Sequence, residues 1–172
     1  MQNREIVVIL HNIRSTYNVG AILRTADGFG INQVIYSGYT PTPLPHSLLL
    51  PHLAEKLTDQ IHKTALGAEL TLKSAVSENI EQTLEELKNA GFQIIGLENN
   101  LGSLSTYLIN LPETKTKVKN KVAVLLGEEV QGIPKELYSK IDLFPEIPMY
   151  GKKESFNVSI ATAILLFFLR CL

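Results

Sequence analysis

Short apolar runs alternate along the chain with segments in which apolar residues recur at helical spacing. The first run, residues 6–10, is rich in β-branched residues and unbroken by polar ones, which predicts a strand buried on both faces. Further strands are predicted at residues 33–37, 70–76, 92–97, 122–126 and 143–147. Since helical segments lie between these strands, we predict an α/β fold with a mostly parallel sheet covered by helices on both faces.

Capping and breaking residues bound the predicted helices. Apolar side chains recur at helical spacing in residues 17–30, where Asn18 is a good N-cap and two glycines end the helix. Ser77 can cap a later helix that Gly91 closes. Three prolines at alternate positions in residues 38–45 predict an exposed, stiff loop. Further helices are predicted at residues 58–65, 134–140 and 157–172.

The closing helix is apolar nearly all round, from Val158 to Leu169. One helix cannot hide all its faces against one sheet, so it is either deeply buried in the monomer or packed against a second copy. Of these two arrangements we expect the second, a homodimer.

Composition excludes several classes of site rather than indicating a function. The 172 residues suit one domain, and the lone cysteine, Cys171, excludes a disulfide framework within the chain and a cysteine-based zinc site. The four histidines lack metal-ligand spacing, so no metal is expected. The most apolar stretch is about half the ~20 residues that span a bilayer, and the chain starts without signal-peptide features. We therefore expect a cytoplasmic protein without a membrane partner.

The charge balance counts mildly against a nucleic-acid partner. The formal net charge is −1 and the isoelectric point is about 6.4, whereas nucleic-acid-binding proteins usually show a basic footprint. Local basic patches are still available near the polar segments described next. These patches are formed by Arg14, Arg24, Lys152 and Lys153, with a short ladder at Lys115, Lys117, Lys119 and Lys121 that is most simply a solvated loop.

Three polar segments could carry chemistry. The first, residues 11–27, follows the first strand, where open α/β sheets place ligands beyond the carboxyl ends of strands. Within it Gly20 lets another backbone approach, and Arg24 and Asp27 are spaced to pair on a helix. Taken alone, the segment is better explained as a capped helix with a surface ion pair.

The other two segments also follow buried strands. Gly127 is followed by Glu128 and Glu129, and a second glycine comes five residues after the first. This is not a phosphate loop, because two carboxylates would repel phosphate and no Lys-Ser/Thr pair follows. Further on, Ser155 or Asn157 can cap the closing helix, but a cap alone does not explain a polar, lysine-bearing loop before so apolar a helix.

In order and spacing, the three segments resemble the motifs of the SpoU (TrmH) class of SPOUT RNA methyltransferases. The matching stretches are residues 11–27 (HNIRSTYNVGAILRTAD), 125–134 (LLGEEVQGIP) and 147–161 (IPMYGKKESFNVSIA), with 63–69 (KTALGAE). The resemblance covers nearly the whole chain. It implies a C-terminal trefoil knot, S-adenosylmethionine bound in the knotted loops, and a homodimer formed through them and the closing helix. It also implies a single methyltransferase domain over residues 1–172, with no RNA-binding extension.

The resemblance also assigns roles to individual residues. The side chains that it places in catalysis are Asn18, Arg24, Glu129, Ser155 and Asn157. Backbone contacts to the cofactor are expected from Leu97, Gly127, Ile147, Met149 and Phe156, although Phe156 stands where leucine is more usual.

The implied reaction is methylation of an RNA ribose 2′-hydroxyl. Family proposals make the arginine the general base, but an arginine side chain is almost always protonated at neutral pH, so we expect Arg24 to position the ribose or phosphate first. We expect tRNA rather than rRNA as substrate. A catalytically silent RNA-binding protein and a base methyltransferase of the same fold remain alternatives. A dinucleotide-binding oxidoreductase is disfavoured because no G-x-G-x-x-G turn follows the first strand.

Overall fold

The main sheet has five parallel strands. The computed structural model describes residues 4–47, 49–99, 101–107 and 118–171, so Lys115 and Lys117 of the basic ladder lie outside the described residues. The strands of this sheet are β1 (Glu5–His11), β2 (Gln33–Ser37), β3 (Ser74–Ser77), β4 (Gln93–Leu97) and β6 (Lys121–Leu126), and they lie side by side in the order β3-β2-β1-β6-β4. The remaining strands, β5 (Ser105–Tyr107) and β7 (Phe144–Glu146), pair in parallel with each other.

Helices cover both faces of the sheet, as predicted. The bounds are α1 (Thr16–Gly28), α2 (Pro51–Ala65), α3 (Ala68–Thr71), α4 (Ile80–Asn89) and α5 (Val158–Cys171), with 3-10 helices at Gly102–Leu104 and Lys135–Lys140. Along β1 the side chains of Ile6, Val8 and Leu10 pack in the core that holds α1 and α5. Val7 and Ile9 point to the opposite face and pack in the core that holds α4. The uninterrupted apolar run of β1 is therefore buried on both sides.

The predicted N-caps of two helices and the predicted range of one strand are wrong. Ser15, not Asn18, caps α1: its hydroxyl accepts the Asn18 N–H at 3.3 Å. Asn79, not Ser77, caps α4. The strand expected at 70–76 is split, because its first residues belong to α3 and only the end belongs to β3.

Close packing between α1 and α2 depends on Gly20, as predicted. A Cβ at this position would overlap the carbonyl oxygen of Ile61 and the hydroxyl of Thr64. The same hydroxyl donates to the Tyr17 carbonyl at 2.9 Å. These contacts fix α1, which carries the first polar segment.

The closing helix α5 buries one side only. Leu165, Leu166 and Leu169 are fully buried in the core, whereas Ile160 and Phe167 are 51% and 60% exposed. Single-chain packing therefore leaves an apolar face uncovered. Within the described residues no helix is both long and apolar enough to cross a membrane. The trefoil knot and the homodimer stay predictions.

Two arginines fasten the end of α5 to the start of the sheet. The guanidinium of Arg170 donates to the carbonyls of Phe29, Gly30 and Arg4 at 2.8, 2.5 and 2.7 Å. Arg4 is buried and donates in return to the Leu169 carbonyl at 2.9 Å. These cations satisfy carbonyls at the carboxyl ends of two helices, where the helix dipole also favours positive charge.

Candidate active site

A cavity of about 470 Å³ opens at the carboxyl ends of β4 and β6. Residues from the second and third polar segments and from the end of β4 line it, so the fold brings together stretches far apart in sequence. The lining residues are Leu97, Glu98, Asn99, Gly127, Glu128, Glu129, Val130, Gln131, Gly132, Ile147, Glu154, Ser155, Phe156, Asn157, Val158 and Ala161. Its position agrees with the expectation that ligands bind beyond the carboxyl ends of parallel strands.

Glu129 fastens the second polar segment to the first. Its Oε2 accepts the Arg14 N–H at 3.1 Å, while Oε1 accepts the Ser15 N–H at 3.2 Å and the Asn18 side-chain amide at 3.0 Å. Desolvation would raise the pKa of the Glu129 carboxyl, but these hydrogen bonds outweigh it and leave the pKa below its usual value. The residue is therefore ionised at neutral pH and acts as an acceptor only.

The third segment joins the same network through Asn157. Its side-chain amide donates to Asn18 Oδ1 at 3.1 Å, so hydrogen bonds run from Asn157 through Asn18 to Glu129. Asn157 Oδ1 also accepts the Ser159 N–H at 2.9 Å, which caps α5 as predicted. Ser155 lines the cavity two residues earlier. Hydrogen bonds thus link three predicted side chains from three segments, those of Asn157, Asn18 and Glu129.

Close backbone approach shapes the turn between Gly127 and Gly132. A Cβ at Gly127 would overlap the Gly132 backbone, and Gly132 has a positive φ of 70° that favours glycine. Glu128 and Gly132 exchange backbone hydrogen bonds at 3.0 and 2.9 Å, which close the turn. Glu98 supports it from β4, because its Oε2 accepts the Ile133 N–H at 2.8 Å.

Glu128 makes different contacts from Glu129. Its carboxylate lies 3.8 Å from the Arg14 guanidinium, with side-chain exposures of 15% for Glu128 and 68% for Arg14. Partial desolvation and this carboxylate also raise the pKa of the neighbouring Tyr39 hydroxyl. Consecutive acids therefore hold the backbone and the side chain of one arginine.

Three predicted site residues do not line the cavity: Arg24, Met149 and Asn18, the last of which is hydrogen-bonded to the lining residues Glu129 and Asn157. Arg24 is exposed on α1, and within the described part of the chain it makes no hydrogen bond or ion pair. Its expected pairing with Asp27 is not formed; Asp27 instead accepts the Thr71 hydroxyl at 2.9 Å. Met149 is half-buried and does not line the cavity, unlike the other four residues expected at the cofactor.

Glu98 was not predicted from the sequence. It directly follows β4 and lines the cavity with Leu97. The pattern that indicates Glu129 is also present here, because an acidic residue at the end of a buried strand is unfavourable in a hydrophobic core. Its contact with Ile133, 35 residues later, has no local sequence pattern.

The chain is similar in sequence to known proteins over most of its length. Residues 5–167 match the SpoU rRNA Methylase family. The chain is 32% identical over 161 residues to the 23S rRNA (guanosine-2′-O-)-methyltransferase RlmB of Neisseria meningitidis, which covers 94% of this chain and 56% of that protein. It thus spans little more than half the length of this curated relative.

Solved structures share the fold. A crystal structure of an AdoMet-bound rRNA methyltransferase from Sinorhizobium meliloti has a TM-score of 0.77 and 26% identity over 99% of this chain and 57% of that one. The A. aeolicus TrmH/SpoU tRNA modifying enzyme has a TM-score of 0.75 and 25% identity over 99% and 76%. Since the family match extends over residues 5–167 of 172, the chain belongs to the SpoU rRNA methylase family.

Proposed function

We propose that the chain is an S-adenosylmethionine-dependent methyltransferase that modifies a ribose 2′-hydroxyl in RNA. One observation carries the proposal: hydrogen bonds join Asn157, Asn18 and Glu129, from three separated segments, on the rim of a cavity of about 470 Å³. Family membership supports it, as does the name of the N. meningitidis relative, a guanosine 2′-O-methyltransferase.

The cavity fits S-adenosylmethionine in size and lining. Its volume of about 470 Å³ lies within the roughly 300–1,000 Å³ of small-molecule sites, and apolar residues in its largely polar lining, such as Leu97, Ile147 and Phe156, can contact an adenine ring. Carboxylates such as Glu98 favour a ligand with cationic sulfonium and ammonium groups. When bound, the cofactor supplies an electrophilic methyl group. The backbones that we place against it are those of Leu97, Gly127, Ile147, Met149 and Phe156.

The chain's own residues supply alignment. Ser155 and Asn157 line the cavity, and we assign them to hold the reacting ribose, while Glu129 keeps Asn18 in a fixed orientation. Correct alignment of two reactants can lower a barrier by roughly 7–11 kcal/mol. Among the described residues Arg24 has no hydrogen-bond or ion-pair partner, so it is available to position the ribose or its phosphate. Proton removal from the hydroxyl typically contributes a further ~10²–10⁴-fold.

The RNA and the assembly are finer parts of the proposal. We take tRNA as the first substrate to test, with rRNA as the alternative that the N. meningitidis relative indicates. The exposed apolar face of α5, with Ile160 and Phe167, supports a homodimer built on that helix. We place the reaction in the cytoplasm and assign it no metal.

The deciding experiment combines methyl transfer with cofactor binding. Purified protein is incubated with labelled S-adenosylmethionine and either tRNA or rRNA from cells lacking the gene, and modified nucleosides are mapped by mass spectrometry. We expect a 2′-O-methylated nucleoside from wild type and from Lys56→Ala, which removes an exposed cation on α2. Arg24→Ala should lose at least about 100-fold in turnover while its calorimetric affinity for S-adenosylmethionine stays within about twofold.

The opposite outcomes are equally specific. Full turnover by Arg24→Ala would overturn the role of this arginine. A methylated base would replace the ribose assignment, and a protein that binds RNA but not S-adenosylmethionine would be the catalytically silent alternative.

A further inference from the structure

We propose that Arg14 and Tyr39 form a nucleotide-binding surface for the substrate RNA beside the methyl-transfer site. Without RNA the Glu128 carboxylate pairs with Arg14, and an RNA phosphate displaces this carboxylate on binding. This inference rests on the proposed function and adds the contacts that receive the RNA strand. The ligand is an unstacked nucleotide, with its base on Tyr39 and a backbone phosphate on Arg14.

The three residues come from the ends of three neighbouring strands. Arg14 follows β1, Tyr39 follows β2 and Glu128 follows β6, and these strands are adjacent in the order β2-β1-β6. They therefore share the sheet edge at which Glu129 meets Asn18. A nucleotide held here would lie next to the network assigned to the reacting ribose.

Arg14 is held firmly at its backbone and loosely at its side chain. Its N–H donates to Glu129 at 3.1 Å, whereas its guanidinium lies 3.8 Å from Glu128 and is 68% exposed. Exposed ion pairs of this kind are weak, so a phosphate, which accepts two hydrogen bonds from a guanidinium, can replace the carboxylate. The pair keeps the arginine oriented towards the site in the absence of RNA.

Hydrogen bonds hold the backbone of Tyr39 in place, and its hydroxyl lies beside the Glu128 carboxylate. Its N–H donates to Asn12 Oδ1 at 3.3 Å, and the Asn12 amide lies 3.2 Å from His11 Nε2, whose Nδ1 lies 3.1 Å from the Ser37 hydroxyl. Burial lowers the pKa of His11, so the ring is neutral and can accept from the Asn12 amide. Tyr39 is nevertheless 55% exposed.

A fixed, exposed tyrosine next to an exposed arginine matches the chemistry of single-stranded RNA. Unstacked bases bind by stacking on aromatic rings, and arginine supplies the phosphate contact. Gly38 lets the turn form, because a Cβ there would overlap the Asn12 side chain. Since the chain as a whole carries a formal charge of −1, affinity for RNA must come from local groups such as these.

The test is RNA affinity measured by fluorescence anisotropy with a labelled, mixed-sequence single-stranded RNA of 15 nucleotides. We expect Tyr39→Ala to weaken binding by about fivefold or more and Tyr39→Phe to retain it, because stacking needs only the ring. Arg14→Ala should weaken binding and lower the slope of log Kd against log salt by about one. Glu128→Gln should strengthen binding, since it removes the competing carboxylate.

The matched control is Lys88→Ala. Lys88 is also a surface cation paired with a carboxylate, Asp142 at 2.9 Å, but it lies just before the amino end of β4. Its loss should leave Kd and the salt slope unchanged. Arg14→Ala keeps the backbone N–H that Glu129 accepts, so the fold should be retained; unchanged circular dichroism and S-adenosylmethionine affinity check this.

Two results would overturn the inference: wild type that does not bind the RNA, or Arg14→Ala and Tyr39→Ala variants that bind within twofold of wild type. If wild type also methylates RNA while these variants bind normally, the proposed function stands and this surface is wrong. If wild type does not bind S-adenosylmethionine but the variants lose RNA affinity, the surface stands and the methyltransferase proposal fails.

Discussion

Replacing Glu129 with glutamine removes its charge while keeping its size. In the native turn, Oε1 accepts two hydrogen bonds, from the Ser15 N–H and the Asn18 amide, and Oε2 accepts one from the Arg14 N–H. A glutamine has one carbonyl oxygen and one NH₂ group. In its better orientation it keeps the two bonds at the Oε1 position and points a donor at the Arg14 N–H.

The expected loss of stability and turnover follows from this hydrogen-bond geometry. A hydrogen bond to a charged group contributes about 1.5–3 kcal/mol. Because Glu129 is exposed on the rim of the cavity, hydrogen bonds to water recover part of this free energy when the bond is lost. We therefore expect Glu129→Gln to lower the free energy of unfolding by about 1.5 kcal/mol, or roughly 3–6 °C in Tm for a chain of this length. Turnover should fall at least about tenfold, because the donor that now faces the Arg14 N–H displaces the segment before α1 and with it the position of Asn18.

Glu128→Gln is the matched control, since it makes the same change one residue earlier. Its carboxylate pairs at 3.8 Å with exposed Arg14 and lies beside the exposed Tyr39 hydroxyl, and an exposed ion pair of this kind contributes at most about 1 kcal/mol. Urea unfolding, calorimetry with S-adenosylmethionine and methyl transfer are measured for both variants. Equal effects of the two substitutions on stability and turnover would refute the assignment of the network to Glu129.

The pH dependence gives an independent check on the same residue. The folded-state pKa of Glu129 is lower than its unfolded value, so its contribution to stability is present above the unfolded pKa and is lost as pH falls through the folded pKa. The stability difference between wild type and Glu129→Gln should therefore be full at pH 7 and shrink on acidification. A difference that stays constant down to the acid transition would contradict the hydrogen-bonding account.

Three further predictions concern the fold, the cofactor loop and the assembly. Arg170→Ala leaves three carbonyls without their donor and should lower stability by about 3 kcal/mol in urea unfolding, whereas Arg24→Ala, with no such bonds, should change it by less than about 0.5 kcal/mol. Gly127→Ala forces the turn apart and should weaken calorimetric S-adenosylmethionine binding at least about tenfold, while Gly151→Ala, which points into open space, should not. Phe167→Glu should give a monomer by light scattering, whereas Leu70→Glu, which changes an even more exposed apolar residue on α3, should leave the proposed dimer intact; a dimeric Phe167→Glu would exclude α5 as the interface.

The centre of the sheet was predictable because its strands β1 and β6 are buried on both faces. In β1 every residue from Ile6 to Leu10 is at most 3% exposed, and such continuous apolar runs have few other uses in a chain of this size. Alternation of these runs with helical segments then limits the topology to a mostly parallel sheet.

The caps of α1 and α4 were not predictable, because the sequence offers two good candidates at the start of each of these helices. Ser15 and Asn18 both have side chains that cap helices, and a tertiary contact decides between them. Glu129, 111 residues later, takes the Asn18 side chain and leaves Ser15 to cap α1. The contact of Glu98 with Ile133 is equally non-local, so spacing gave no indication of it.

Glu128 and Glu129 look alike in the sequence, and only the folded structure shows that they have different roles. In sequence both stand at the end of a buried strand and are equally poor core residues. The closed turn between Glu128 and Gly132 directs one carboxylate to the side chain of Arg14 and the other to its backbone N–H. A substitution at Glu129 therefore disturbs the geometry of the site, whereas one at Glu128 changes the charge that an approaching phosphate meets. If the two acids were a single anionic patch, both substitutions would alter RNA affinity alike; separate effects on turnover and on RNA affinity are what this division requires.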